Sequence, residues 1–530
     1  MNAAMRILAC ALLASLILTG PAPAAVEQWG VFEASLTGPA DGNPFVDTQL
    51  SADFTNGHQT ISVHGFYDGG GVYRIRFMPP EQGRWTYRTS SNHPELAGKT
   101  GSFDCSAPSP GNHGPVRVSH VYHFAYADGT PFVCIGTTCY AWAHEPDAIE
   151  DQTLATLKES PFDKVRMCLI PSLADPVFWP YQRDADGKFD PTRFNPDYFH
   201  HLEHRIQQLA DQGVQADLIL FHPYKKFAMS FFDRLDDAGD DLYLHYVVAR
   251  LAAYRNVWWS LANEYGQVKH KTDSDWDHFF QVIQADDPYQ HLRSIHNAAK
   301  FYDPNKPWVT HACIQNGSAV ADFGRAVLYR DLCPKPIVYD EVCYEGDIDR
   351  RWGKLSAEEL VMRFWLGTIG GTYVGHGEVY SHPPLGIDWT AGGGKLAGQS
   401  PPRLAFLRAI LESGPADGIE PIDEFYQTHY GGKAGQYYLV YFGKDSPARW
   451  RFMLPQDPPH KTALAAGMPF HVDVLDTWNM TITPVDKIYT LAKPIDSDFP
   501  AEGDATVPLP GRPYIALRIV HWPDFSGHDR

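Results

Sequence analysis

Two glutamates, Glu264 and Glu341, each follow a short apolar run of the kind that forms a buried strand. The first run is NVWWSLANEY, which ends with Asn263 and Glu264, and the second is KPIVYDEVCYEG. In a (β/α)8 barrel, catalytic side chains stand at the carboxyl ends of the strands. A pair of carboxyl groups is the minimal machinery for breaking a glycosidic bond. The two glutamates therefore indicate acid–base chemistry on a sugar, provided that the fold brings them together.

Other interpretations of the same residues are possible. Asn263 and Glu264 would also fit a strand end that caps the following helix. Glu341 would fit a structural ion pair in a barrel wall, and Glu345 offers a rival carboxylate a few residues further on.

Eight apolar runs alternate with amphipathic segments between residues 116 and 415. The runs are PFVCIGTTCYAW, FDKVRMCLIP, QADLILFHPY, NVWWSLANEY, HLRSIHN, PWVTHACIQN, KPIVYDEV and GGTYVGHGE. Between the second and third runs, Phe199, Leu202, Ile206 and Leu209 share one helical face, and Gly213 ends the helix. Eight buried strands alternating with helices predict a (β/α)8 barrel. Glu264 would then end strand four and Glu341 strand seven, on facing sides of the barrel mouth.

The segments on both sides of this region show strand signals and no helical period. QTISVHGFYD, GVYRIRFMPP and GRWTYRTS precede it, and GQYYLVYFG, FHVDVLDTWN and YIALRIVHW follow it. The predicted fold class is therefore α/β, a (β/α)8 TIM barrel with flanking β-sandwich domains. We expect the N-terminal sandwich at 25–107, the barrel at 116–415 and the C-terminal sandwich at 416–524.

Residues 1–24 have the pattern of a signal peptide. Arg6 gives a basic start, the apolar stretch from Ile7 to Leu18 is shorter than a membrane span, and the sequence PAPA ends at Ala24. We expect cleavage after Ala24 or Ala25 and export to the periplasm or the cell exterior.

Charge and cysteine content limit the partners. The formal net charge of −19 argues against nucleic acid or an anionic membrane surface as a partner. Eight cysteines, of which Cys10 lies in the predicted signal peptide, leave an odd number that makes no disulfide framework. No Cys/His spacing indicates a zinc site. We predict a carbohydrate substrate, no membrane insertion, no cofactor and no metal.

The ANE and YDEV strand ends, with Arg166 in KVRMCL, resemble the retaining (β/α)8 glycoside hydrolases of clan A. The stretches VEQWGVFEASLTGP, GFYDGGGVYRIRFMPPEQGRWTY and ADGTPFVCIGTTCYAW are similar to bacterial proteins that join a DUF5060 β-sandwich, a DUF4038-like barrel and a DUF5605 β-domain. The resemblance implies Glu264 as acid/base and Glu341 as nucleophile. It also implies that Asn263 binds the 2-hydroxyl of the sugar and that Arg166 lies near the nucleophile.

Further candidate substrate-binding residues stand at other predicted strand ends. They are Tyr140 and Trp142 after strand one, His222 and Tyr224 after strand three, His296 on strand five, His311 on strand six, and His376 and Glu378 on strand eight. Many clan members have a Tyr or His on strand six and a Trp on strand eight, so strand eight departs from the pattern.

These features together predict an exported retaining glycoside hydrolase. Long connections after strands two and eight favour a closed pocket and therefore exo action. The alternatives are a non-catalytic carbohydrate-binding protein on a decayed barrel, and a polysaccharide lyase with a Tyr or Lys base.

Overall fold

The computed structural model describes residues 25–171, 178–224, 235–315, 320, 323–422, 429–456, 464–496 and 498–524. The predicted signal peptide lies outside these residues. A parallel barrel sheet occupies the middle of the chain, and β-rich regions precede and follow it. The fold is therefore mixed α/β, as the sequence predicts.

Nine short parallel strands form the central sheet. In chain order they are Gly136–Thr138, Lys164–Cys168, Gln215–Phe221, Val257–Ala262, Arg293–Ser294, His296–Asn297, Ala312–Gln315, Ile337–Glu341 and Tyr373–His376. The strands at 293–294 and 296–297 are the two ends of the sheet, and only Ile295 separates them. The first pairs with strand four and the second with strand six. Taken together they are barrel strand five, so the sheet nearly closes as an eight-stranded barrel.

Helices pack around the barrel between its strands. The longer ones are Asp147–Lys158, Pro196–Asp211, Asp237–Leu251, Asp273–Asp286, Phe323–Leu332, Ala357–Ile369 and Ser400–Glu412. Short helical turns lie at Trp142–His144, Tyr265–Gln267, Arg351–Gly353, Pro384–Gly386 and Trp389–Gly392. Two small strand pairs are formed by Tyr181–Arg183 with Phe189–Phe194 and by Glu345–Gly346 with Glu378–Val379. The helix at 196–211 buries Phe199, Leu202, Ile206 and Leu209, the face that the sequence predicts.

The two ends of the barrel differ in chemistry. A hairpin of Val116–Ser119 and His123–Tyr126 covers the amino-terminal end, where Phe124 packs on Trp258. Inside the barrel, Lys164 Nζ lies 2.9 Å from Asp217 and 2.7 Å from Asp340. These buried groups fill the interior of the barrel, and the hairpin covers its amino-terminal end. A ligand would therefore bind at the carboxyl-terminal end.

The N-terminal region is a seven-stranded sheet of Ala25–Glu27, Phe32–Thr37, Leu50–Thr55, Thr60–Tyr67, Val72–Phe77, Gly83–Ser91 and Thr100–Ser106, with a helical turn at Pro44–Asp47. The strand at 60–67 pairs through its first half with the strand at 50–55 and through its second half with the strand at 72–77. This strand therefore joins the two parts of the sheet. Phe54 and Phe77 stack at 4.2 Å in its core.

The C-terminal region has the strands Glu420–Ile422, His429–Lys433, Tyr437–Tyr441, Arg449–Arg451, Met453–Pro455, Pro469–Asp476, Thr481–Pro484, Tyr489–Thr490, Asp498–Pro500, Thr506–Pro508 and Ile515–His521, with a helical turn at Trp522–Asp524. Trp365 of the barrel stacks on Tyr441 with ring centres 5.5 Å apart. None of the described helices combines the length and the apolarity needed to cross a membrane.

Candidate active site

The two glutamates lie at the carboxyl end of the barrel. Glu341 is the last residue of strand seven and is 6% exposed, whereas Glu264 directly follows Asn263 at the end of strand four and is partly exposed. Glu264 has φ 43° and ψ 48°, a left-handed conformation that residues other than glycine rarely adopt. Such strained backbone is concentrated at functional sites.

Hydrogen-bond donors surround the carboxylate of Glu341. Arg166 Nη1 lies 3.2 Å from Oε1, the Tyr140 hydroxyl donates to the same oxygen, and Gln315 Nε2 donates to Oε2 at 2.9 Å. Burial alone would raise the pKa of Glu341, but the positive charge of Arg166 and the hydroxyl groups of Tyr140 and Tyr344 hold it below its usual value. Glu341 is thus ionised at neutral pH.

The positive charge beside Glu341 comes from Arg166. His296 is also close, with Nδ1 3.6 Å from Glu341 Oε1. Burial, assisted by the charge of Arg166, lowers the pKa of His296 to about 3. The imidazole is therefore neutral, and its Nδ1–H donates to Asn263 Oδ1.

Glu264 lies in a different electrostatic environment. Burial and the negative charge of Glu341 raise the pKa of Glu264 above its usual value. The Tyr224 hydroxyl, which donates to Glu264 Oε2 at 3.1 Å, and the amide of Gln315 offset part of this rise. The pKa values of the two carboxyl groups are therefore displaced in opposite directions, which is how one site can hold a protonated and an ionised carboxyl group side by side.

Asn263 connects the two sides of the site. Its side chain is fully buried, and Oδ1 accepts hydrogen bonds from Arg166 Nη2 and His296. Its Nδ2 donates to the hydroxyls of Tyr224 and Tyr140. Each tyrosine hydroxyl in turn donates to one of the two glutamates. The Asn263 amide therefore fixes the direction of both hydroxyl donors.

His222 lies beside the site and holds Tyr224. Its Nε2 donates to the carbonyl of Ile170 at 3.1 Å, and its Nδ1 accepts from the backbone N–H of Tyr224 at 3.2 Å. Both ring nitrogens are therefore engaged with the protein, and its contribution is to place Tyr224.

The structure places two of the predicted substrate-binding residues, Trp142 and His311, away from the two glutamates. Trp142 is fully buried and its Nε1 donates to the sulfur of Met167, which points away from Arg166 along strand two. His311 precedes strand six, and its ring packs against Phe124 and Trp258 at the amino-terminal end of the barrel.

The side chains of His376 and Glu378 also lie away from the two glutamates. His376 stacks on Phe162 at 4.6 Å, and its Nδ1 lies 2.9 Å from Thr137 Oγ1, in the layer between barrel and helices. Glu378 is 2% exposed and accepts hydrogen bonds from the backbone amides of residues 397 and 398. Neither side chain faces the two glutamates.

Two neighbours of Glu341 are absent from the predicted set. Gln315 ends strand six and faces both glutamates, and the Tyr344 hydroxyl approaches Glu341. Gln315 could have been found, because it directly follows the apolar residues of the run PWVTHACIQN. Tyr344 lies beyond its strand, in an irregular segment that carries no periodic signal.

Three family models match the chain. They are DUF5060 at residues 25–92, the apiosidase-like catalytic domain at 119–382 and DUF5605 at 426–520. The two flanking resemblances are thereby confirmed. The barrel matches the apiosidase-like model, and DUF4038 is not among these matches.

Among solved structures, a candidate glycoside hydrolase from Bacteroides vulgatus ATCC 8482 is 39% identical to the chain, with a TM-score of 0.90 over 94% of this chain and 99% of that one. A family 5 glycoside hydrolase from the same organism is 13% identical, with a TM-score of 0.57 over 79% and 96% of the two chains, and so shares the fold. No curated protein matches the sequence. The chain belongs to the family of glycoside hydrolases that carry an apiosidase-like catalytic domain.

Proposed function

We propose that this protein is an exported, retaining and exo-acting glycoside hydrolase. Glu264 protonates the leaving oxygen while Glu341 attacks the anomeric carbon and forms a glycosyl-enzyme. Glu264, now a base, takes a proton from the water that hydrolyses this intermediate. The observation that carries the proposal is the opposite displacement of the pKa values of Glu264 and Glu341.

The position of Gln315 supports retention over inversion. Retaining enzymes hold their carboxyl groups about 5–5.5 Å apart, whereas inverting ones leave about 6.5–9.5 Å for a water molecule. The single amide of Gln315 contacts Glu341 at 2.9 Å and also faces Glu264. One side-chain amide that reaches both carboxylates favours the shorter separation.

Among the described residues around the two carboxyl groups, Glu264, Tyr140, Tyr224 and Gln315 are partly exposed. Their hydroxyl and amide groups are the ones that a bound sugar meets first. Asn263 is buried behind the two tyrosines, so its expected effect on the 2-hydroxyl passes through their hydroxyl groups.

The sugar is proposed from the family. The matching barrel model is named for apiosidases, which makes an apioside the first substrate to test. Exo action is inferred from the long connections after strands two and eight. Export is inferred from the signal-peptide pattern of residues 1–24.

The deciding experiment screens the full chain on aryl glycosides, including an aryl apioside, and on plant polysaccharides, with the first product anomer followed by NMR. We expect the product to keep the anomeric configuration of the substrate. Glu341→Ala should lose at least about 10³-fold in kcat and be partly rescued by azide, because the small anion replaces the nucleophile. Glu412→Gln, on the exposed side of the last barrel helix, is the matched control.

Three outcomes would contradict the proposal. A product of inverted configuration would exclude double displacement. Full activity in a folded Glu341→Ala variant would exclude Glu341 as nucleophile. An unsaturated product, detected by its ultraviolet absorbance, would indicate a lyase.

A further inference from the structure

Two carboxylates and one imidazole form a buried cluster beside barrel strand eight. Glu345, His376 and Glu378 are 3%, 0% and 2% exposed. One ligand atom of each residue lies within 4.8 Å of the ligand atoms of the other two. None of the three has a role in the chemistry proposed for Glu264 and Glu341.

The imidazole of His376 has one nitrogen that is not satisfied. Nδ1 lies 2.9 Å from Thr137 Oγ1, which also accepts a hydrogen bond from Trp389 Nε1 at 2.8 Å. Nε2 has no hydrogen-bond partner among the described residues, although the ring is fully buried. It faces Glu378, with 3.9 Å to Oε2. A metal-bound histidine commonly donates its second ring nitrogen to a neighbouring acceptor, and Thr137 occupies that place.

The two carboxylates face each other without a compensating side-chain cation. Within the part of the chain that the structure describes, neither Glu345 nor Glu378 has a lysine or arginine within 4.0 Å. Both carboxylates lie against the backbone of Gly398. A Cβ atom added to this glycine would stand 2.4 Å from Glu378 Oε2 and 2.6 Å from Glu345 Oε2. Backbone amides of residues 397–400 donate to the two carboxylates. These amides, and the Tyr380 hydroxyl that donates to Glu345 Oε1 at 2.9 Å, satisfy oxygen lone pairs but bring no cationic side chain to the two carboxyl groups.

A second group of potential ligands differs on each of these points. Asp147, Glu150 and His201 also lie close together, but Asp147 is exposed. Arg205 binds Glu150 there, with 2.5 Å between Nε and Oε2. That group already contains its cation, so it carries no equivalent argument.

We infer that Glu345, His376 and Glu378 bind one divalent transition-metal ion of the Zn²⁺ type. An imidazole with two carboxylates suits zinc better than calcium or magnesium, which prefer oxygen ligands alone. The 3.9 Å between His376 Nε2 and Glu378 Oε2 is close to the roughly 3.4 Å expected between two ligands at a tetrahedral zinc ion.

Ser400 contacts the cluster through its backbone. Its backbone N–H donates to Glu345 at 3.1 Å, and its buried hydroxyl has no hydrogen-bond partner among the described residues. The ion fastens the strand pair at 345–346 and 378–379 to the start of the helix Ser400–Glu412. Tyr344, which approaches Glu341, directly precedes this anchored segment.

Metal analysis of the untagged full chain tests the site. After treatment with EDTA and dialysis against ZnCl2, we expect about one Zn²⁺ per chain by elemental analysis, and a higher Tm than for the metal-free protein. His376→Gln should hold far less zinc and lose this rise in Tm. His311→Gln is the matched control, since His311 is also a fully buried histidine whose Nε2 has no hydrogen-bond partner among the described residues. It should keep both the zinc and the rise in Tm.

The wild-type protein decides the matter if the His376 variant does not fold. Crystals soaked in ZnCl2 should show an anomalous peak at the zinc edge within bonding distance of His376 Nε2, Glu345 and Glu378. A wild-type protein that retains no stoichiometric zinc, a peak elsewhere, or a folded His376→Gln variant with unchanged zinc content would overturn the inference.

Discussion

The guanidinium of Arg166 lies 3.2 Å from the carboxylate of Glu341, and both groups are almost completely buried. Arg166 stands in the middle of strand two and Glu341 at the end of strand seven, so the contact crosses the barrel. The second guanidinium nitrogen donates to Asn263. Arg166 therefore fixes the charge of one glutamate and the orientation of the amide that serves both.

Replacing Arg166 by lysine should shift the acidic limb of the pH profile. A lysine ammonium group is a point charge and cannot contact Glu341 and Asn263 together, as the planar guanidinium group of Arg166 does. The pKa of Glu341 should therefore rise. Activity that requires ionised Glu341 should then begin at a higher pH, with kcat/KM lowered at least about tenfold at neutral pH. The pH profile of kcat/KM measures both effects.

Arg293→Lys is the control for this change. Arg293 is also buried, but it donates to the backbone carbonyls of residues 291 and 308 at the opposite end of the barrel. Its variant should leave the acidic limb in place. An unshifted acidic limb in Arg166→Lys would mean that Arg166 does not set the pKa of Glu341.

The two tyrosines next to Asn263 should act on opposite limbs of the same profile. Tyr224→Phe removes a donor from Glu264, so the pKa of Glu264 should rise and activity should persist to higher pH, by up to about one unit. Tyr140→Phe removes a donor from Glu341, so activity should begin at a higher pH. Each variant controls for the other, and a shift of the same limb in both would refute the division of roles.

The sequence predicted the elements of this fold better than their ends and faces. All eight apolar runs contain the expected barrel strands, because parallel strands that are buried on both faces are mostly apolar. The run PWVTHACIQN predicts His311 at the end of strand six, whereas the strand runs from Ala312 to Gln315. Strand boundaries depend on hydrogen-bonded pairing with neighbours, which a single apolar run does not encode.

Side-chain direction is the second point that the sequence left open. His376 ends its strand, as predicted, yet its ring lies among Phe162 and Thr137 between barrel and helices. A polar residue at a strand end can face the barrel mouth or the surrounding layer, because successive side chains point to opposite sides. The register of the closed sheet decides between them, and it is a tertiary property.

Two variants, one at the end of strand six and one just before it, test the placement of these side chains. Gln315→Ala removes a donor to Glu341, so kcat/KM should fall by about tenfold or more, in line with one hydrogen bond to a charged group. His311 lies at the covered amino-terminal end of the barrel, away from the two glutamates. His311→Gln should therefore keep kcat/KM within about twofold per folded molecule, because changes at distant sites act independently of the chemistry. Steady-state kinetics with active-site titration measures both, and the reverse ranking would restore His311 to the site.

The contact between the N-terminal region and the barrel should contribute strongly to stability. Arg250 is fully buried and binds Asp68 of the N-terminal region at 2.8 Å and Glu203 of the barrel at 2.6 Å. Arg250→Met leaves two buried carboxylates without this partner, which should cost about 3–5 kcal/mol of unfolding free energy. Arg84→Met, on the exposed face of the N-terminal sheet, should change it by less than about 0.5 kcal/mol.

The pH dependence of unfolding identifies the cause of that loss. Burial alone would raise the pKa values of Asp68 and Glu203, but Arg250 and its neighbours hold both below their usual values in the folded protein. Their stabilising contribution is present above the unfolded pKa values of about 4 and disappears as the pH falls through the lower folded values. Urea unfolding between pH 7 and pH 3 should therefore show a steeper loss of stability in the wild type than in Arg250→Met. Parallel curves for the two proteins would assign the effect to lost packing of the arginine side chain instead of to its charge.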